Sequence, residues 1–290
     1  MPDQSFVDHL KFCGTSLCIA SGLLTFMPGA ADGQQPWRSA EQVAAIPREE
    51  LDAITARGRL LAEYDFASWH ATDALMTLRP RDGSVQGYLA RRQDSGHWEV
   101  VFGRPGARAD TFYVTYRVLQ RDVGQAVFLP TEMTPAVADV GYFARAFRAL
   151  DICRKDFGHA TRPYNAMVVP VANEDEWYVY LVPAPTRAGV WPHGGDSRYR
   201  VRADGRTIRE RRRMHNTVME WAPEPDRGSA RLEVTMHTAV LDDRPEDTDV
   251  FHVLTRQPQL PELIASRSYY FRIALDGRIM AYNRDTTIKR

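Results

Sequence analysis

The stretch Glu176-Trp-Tyr-Val-Tyr-Leu-Val-Pro183, then Gly194-Gly195-Asp196, then Arg198-Tyr-Arg-Val-Arg-Ala-Asp-Gly-Arg-Thr-Ile208 decides the fold. Its first run is rich in β-branched and aromatic residues and alternates at a period of two, which predicts a strand. Ala203-Asp204-Gly205-Arg206 between two such arms is a hairpin turn, because Gly accepts the positive φ that a tight turn demands. The same design returns near the end, where Tyr269-Tyr-Phe-Arg-Ile-Ala-Leu275 meets Asp276-Gly277 and continues as Arg278-Ile-Met-Ala-Tyr282.

More strands are expected outward from this stretch. Val85–Ala90 and His97–Phe102 flank an Asp94-Ser-Gly96 turn, and Thr111–Val118 extends them into an antiparallel meander. Ala166–Val171, Arg231–Leu241 and Val250–Leu254 read as strands, and Pro261–Ala265 as a single helical turn. In 231–241 the alternation places Leu232, Val234, Met236, Thr238 and Val240 on one face, and His237 with Glu233 and Thr235 on the other. Two helices are expected beside these strands. Pro47, Glu49 and Glu50 open a long one that runs to about Leu78, with Leu51, Ile54, Leu61, Tyr64, Ser68 and Leu75 on one face. Gly58 weakens it by about 1 kcal/mol relative to Ala and allows a bend. Thr134-Pro135 signals the start of the other, with an apolar stripe of Val137, Val140, Ala144, Phe147 and Leu150. A short helix is also expected from Ser39, where Gln42 completes a capping box. The predicted class is α+β: antiparallel sheets of meanders and hairpins, packed on a long N-terminal helix and a second amphipathic one. No long crossover helix is expected after residue 160, so the pairing there is expected to be antiparallel.

The chain has 290 residues, 44% of them hydrophobic and 26% charged, and a formal net charge of zero. That suits a folded protein and argues against a whole-molecule field that would draw it to nucleic acid. Phe12–Met27 is an uncharged apolar run, too short for a membrane span and suited to a signal peptide, and Gly29-Ala30-Ala31 offers a cleavage point. Residues 1–31 are therefore read as a leader, 32–80 as linker and long helix, and 81–290 as the sheet region that forms one domain with 39–80. Export to the bacterial periplasm or medium follows. Asp3 and Asp8 offset Lys11, which departs from a positively charged leader. Cys153 is then the one cysteine of the mature chain, leaving no internal disulfide and no thiolate metal site.

Three patches could carry chemistry. Residues 198–213 hold eight Arg against two acids, so Arg198, Arg200, Arg202, Arg209 and Arg211 form a candidate anion-binding face. The alternative is that these arginines pair with acids elsewhere. Asp242-Asp-Arg-Pro-Glu-Asp-Thr-Asp249, with five acids, is the obvious partner. That acidic loop lacks the spacing and turn glycine of a calcium loop. His215, His237 and His252 lie on separate predicted elements and are candidate ligands of a metal with an open position, as in a metal-assisted hydrolase. On the long helix, His70 and Asp73 are spaced to touch, with Glu63 two turns away. No phosphate loop, dinucleotide fingerprint or nucleophile elbow is present, so no cofactor is expected. The leading expectation is a non-enzymatic exported protein that binds an envelope or extracellular protein or polymer through its sheet surface and arginine hairpin. Nucleic acid is a less favoured partner.

Overall fold

A computed structural model describes residues 46–107, 110–222 and 232–284. The expected leader, the helix from Ser39 and Arg231 lie outside the described residues. Helix α1 (Arg48–Met76) leads into a meander of β1 (Gly87–Arg92), β2 (Trp98–Pro105), β3 (Phe112–Gln120) and β4 (Phe128–Asp139). Helix α2 (Tyr142–Phe157) follows. A second sheet has the order β5 (Tyr164–Pro170), β6 (Glu176–Pro183), β8 (Ser197–Arg202), β9 (Ile208–Arg213), all antiparallel. Strand β7 (Trp191–Gly194) pairs with β10 (Val218–Trp221) as a separate ribbon. The last sheet orders β11 (Thr235–Thr238), β12 (Glu262–Ala265), β13 (Tyr269–Ile273) and β14 (Ile279–Asn283), with α3 (Asp247–Thr255) between β11 and β12. The class is α+β with mainly antiparallel sheets.

Three apolar cores hold these layers. Leu61, Tyr64, Ala67, Ala71 and Leu75 of α1 bury against Val100, Phe102, Tyr116 and Tyr180 of the first two sheets. Phe143, Ala146, Ala149 and Leu150 of α2 meet Val101, Val114, Val179 and Tyr199 on another face. Leu51 and Ile54, at the start of α1, join Val250 and Val253 of α3 and Ile264, Phe271 and Ile279 of the last sheet. Helix α1 thus serves two cores with two halves of one stripe, as its periodicity of buried positions requires. Cys153 is fully buried in the α2 core.

Four segments differ from the sequence expectation. Thr134-Pro135 lies inside β4, with Val137 paired to Val114; the helix begins only at Tyr142, where Asp139 Oδ1 accepts from the amides of Gly141 and Ala144. Val250–Leu254 is the body of α3, not a strand. A capping box of Glu246 and Asp249 starts that helix, and five apolar-rich residues fit either period. Pro261–Ala265 is not a helical turn: Glu262–Ala265 form β12. Because α3 is a crossover, β11 runs parallel to β12, the one parallel pair among the described strands. The 231–241 alternation is also inverted. Met236 and Val240 are about 70% exposed, while His237 is 7% exposed. The imidazole, not the apolar face, is directed inward, and its partners explain why.

Candidate metal centre

The turn His193-Gly194-Gly195-Asp196 sends His193 to Asp249 and places Asp196 behind His215. Gly194 (φ +80°) and Gly195 (φ +67°) take the left-handed backbone that reverses the chain. A Cβ on Gly194 would stand 2.5 Å from the carbonyl oxygen of Thr217, and one on Gly195 2.4 Å from a methyl of Val218. Only glycines let the 215–218 segment lie against this turn, and that contact delivers His215. His237 comes from β11. Asp249 comes from the first turn of α3, where its Oδ2 accepts from the Glu246 amide and leaves Oδ1 free to face the histidines.

Three imidazoles converge on that oxygen. Asp249 Oδ1 lies 2.9 Å from His193 Nε2, 3.1 Å from His215 Nε2 and 3.4 Å from His237 Nε2. One ligand-type atom from each of the four residues falls within 4.8 Å of every other. A tetrahedral zinc with arms of 2.0–2.1 Å has ligand-to-ligand edges of about 3.3 Å, so the three separations to Asp249 lie within about 0.4 Å of such an edge, and the imidazoles need only small shifts to close on an ion. Two of the three ring nitrogens pointing away are held by carboxylates: His215 Nδ1 by Asp196 at 2.7 Å, and His237 Nδ1 by Glu262 at 2.9 Å. Carboxylates behind imidazoles set the tautomer that leaves Nε2 as a lone-pair donor, the arrangement typical of metal-bound histidine.

The charge balance points the same way. Asp196, Asp249 and Glu262 are each about 2% exposed or less, and the buried guanidinium in contact with them is Arg256, 2.6 Å from Glu262. Arg256 is itself fixed by the carbonyl of Leu260 at 2.6 Å and by the ring of Trp221. Three carboxylates against one guanidinium leave two negative charges buried with neutral imidazoles, a costly state in a low dielectric. Protons offer one remedy. Burial pulls the His215 imidazole down, but Asp249 and Asp196 outweigh it and lift the group to about 11. Burial likewise lowers His237 and is outweighed by Asp249 and Glu262. Asp249, which burial alone would raise, is held well below the usual carboxylate range by His215 and His237. A divalent cation is the other remedy, and it also satisfies His237 Nε2, a buried atom without a hydrogen-bond partner among the described residues.

Of the histidines singled out from sequence, His215 and His237 meet at this point. His252 lies beside it, one helical turn after Asp249, stacked on His193 with ring centres 4.2 Å apart. Burial, His193 and Arg256 keep it far below an ordinary histidine, hence neutral. His193 and Asp249 complete the four-residue group in its place. His193 follows a Pro-rich connection with no ligand spacing, and only the adjacent Gly-Gly-Asp turn marks it.

The arginine hairpin presents the predicted alternation, with Ser197, Tyr199 and Val201 buried and Arg202 exposed. Four of its five candidate anion ligands are engaged by acids. Arg198 lies 2.6 Å from Asp247, Arg200 pairs with Glu174 and Glu176, Arg209 lies 3.8 Å from Glu176, and Arg211 2.5 Å from Asp156. Arg202 is the exception among the described residues. The acidic loop takes two of the hairpin's arginines, Arg198 through Asp247 and Arg212 through Asp242 and Glu246. On α1, Glu63 pairs with Arg92, while His70 packs between Phe66, Trp69 and Phe128.

Comparison with protein-family models, curated proteins and solved structures returned no match. Among the described residues no helix is long and apolar enough to cross a membrane.

Proposed function

We propose that the protein is a metalloprotein that holds one divalent transition-metal ion, zinc in the first instance, through His193, His215, His237 and Asp249. The convergence of three Nε2 atoms on one buried carboxylate oxygen carries this reading. The all-nitrogen-and-oxygen donor set suits zinc and its neighbours over copper(I) and over calcium or magnesium, which take thiolate and all-oxygen sites respectively. The test is elemental analysis of the untagged full chain purified without chelator. One equivalent of metal per chain is expected, and its loss in His193→Ala, His215→Ala and His237→Ala. A folded protein that carries no metal, and whose melting temperature does not move on adding zinc, defeats the reading.

A second reading gives the ion a catalytic role in hydrolysis. It is favoured by the imidazole-rich donor set without thiolate, which is the type used by open zinc sites that activate water. It needs an open position, which a tetrahedral ion with four protein ligands lacks, so in this reading the ion is five-coordinate with water as its fifth ligand; His215, at 11%, is the most exposed of the four side chains. Zinc-dependent turnover of an ester, phosphoester or peptide panel, abolished in His237→Ala, supports it; inactivity of the fully loaded protein across the panel counts against it.

A further inference from the structure

The four ligands come two and two from different parts of the fold. His193 belongs to β7 of the separate ribbon, and His215 lies two residues past the end of β9 in the second, middle sheet. His237 and Asp249 belong to β11 and α3, in the C-terminal unit built on the third core. That unit rests on α1 through apolar side chains and through hydrogen bonds from Arg48, Thr55, Arg57 and Arg59. Its contact with the middle sheet is made chiefly by the buried first turn of α3. Asp247 Oδ2 accepts from the Tyr180 hydroxyl at 2.7 Å and from Arg198 at 2.6 Å. Glu246 pairs with Arg212 at 2.7 Å. Thr248 lies 4.0 Å from the sulfur of Met214, and Asp249 faces His193 and His215. Phe251 adds an apolar contact. Glu246 and Asp247 have guanidinium partners across this boundary, and Asp249 does not. Burying Asp249 there is costly unless positive charge is supplied between it and the imidazoles.

We infer that the metal ion is the fastener between the C-terminal unit and the middle sheet, so that its removal undocks the first turn of α3 while the first sheet keeps its structure. This rests on the metal reading above. Binding energy that acts across a boundary is returned as stability of that boundary, because the ion binds the docked form and not the separated one.

Hydrogen exchange with mass-spectrometric readout tests it on the full chain, loaded and after chelation, with metal content measured on the same samples. Chelation is expected to accelerate amides in residues 191–196, 214–218 and 235–252 by at least about tenfold, with β1–β3 unchanged. Restoring zinc must restore protection. Asp247→Asn, still metal-loaded, is expected to loosen the same segments less than chelation does. If metal is bound and lost as measured but exchange is unaltered, or rises equally over the whole chain, the fastener is overturned and the metal site stands. If the folded chain never binds metal, both fall.

Discussion

A Cβ placed on Gly58 would come within 2.4 Å of the Cβ of Val250 and 2.6 Å of the carbonyl oxygen of Asp247. Helix α1 and helix α3 cross at this glycine, and the two α3 residues it meets, Asp247 and Val250, flank the aspartate that faces the histidines. Gly58→Ala raises helix propensity by about 1 kcal/mol, but overpacking at a backbone contact costs about 1–3 kcal/mol. A net loss of stability in urea unfolding is expected, together with weaker zinc binding as α3 is pushed outward. A more stable variant with unchanged affinity would contradict the crossing.

Glu262→Gln keeps an acceptor for His237 Nδ1 but removes the charge that Arg256 and His237 share. Zinc affinity is expected to fall about 10- to 100-fold, the usual effect of losing a carboxylate behind a ligating histidine. Competition with a chromogenic chelator measures it. An unaltered affinity would mean that Glu262 serves the fold and not the site.

Asp247 is 1% exposed and accepts from Arg57 at 2.8 Å, Arg198 at 2.6 Å and Tyr180 at 2.7 Å. Asp247→Asn leaves two guanidiniums without their shared counter-charge. A loss of about 3 kcal/mol is expected, in the range for breaking a buried pair from one side. Chemical denaturation at pH 7 decides it, and a change under about 1 kcal/mol would remove Asp247 from the polar contact that holds α3.

Asp65, half-buried on α1, is raised by burial from 3.8 to about 6. The folded protein therefore holds this proton more tightly than the unfolded chain. Between about pH 4 and 6 its contribution to stability falls as pH rises, and above that the penalty is constant. Such a shift corresponds to at most about 3 kcal/mol, and residual exposure brings the expectation to about 1–2 kcal/mol. Asp65→Asn should stabilise the protein at pH 7 by that amount and show no gain at pH 4. Equal effects at both pH values would exclude this cause.

Burial, then the nearby carboxylate of Asp156, pushes the Cys153 thiol up to about 12. In a chain whose other cysteines are replaced (Cys13→Ser, Cys18→Ser), an aromatic disulfide reagent should find no reactive thiol until the protein is unfolded, and then one. Rapid labelling of the native protein would mean that the α2 core opens.

The hairpins were legible in sequence because their chemistry is local. Asp204-Gly205 and Asp276-Gly277 name their own turns, and both glycines take positive φ. The long helix was legible through its apolar spacing. Helix α3 was not, since Val250-Phe-His-Val-Leu254 satisfies either period, and the Glu246–Asp249 capping box was the only local sign of a helix start. A strand at 250–254 leaves no crossover helix, so the parallel β11–β12 pair is not expected from sequence either. The candidate site was half legible. His215 and His237 stood out as residue types, whereas His193 and Asp249 join them only through pairings of 56 residues or fewer that no spacing rule encodes. The inward turn of His237 was hidden because apolar alternation is a weaker force on a short edge strand than two carboxylates on an imidazole.

The start of α1 is completed by the far end of the chain. Arg48 donates to the carbonyl of Ile279, Thr55 to that of Gly277, and Arg59 to that of Asp276. During synthesis on the ribosome, Leu51 and Ile54 must wait for about two hundred residues before their partners from α3 and the last sheet emerge. A message cut short, or a stalled nascent chain, would leave that apolar half-turn open to chaperones and proteases. Only a chain that extends past Ile279 can cover it in full.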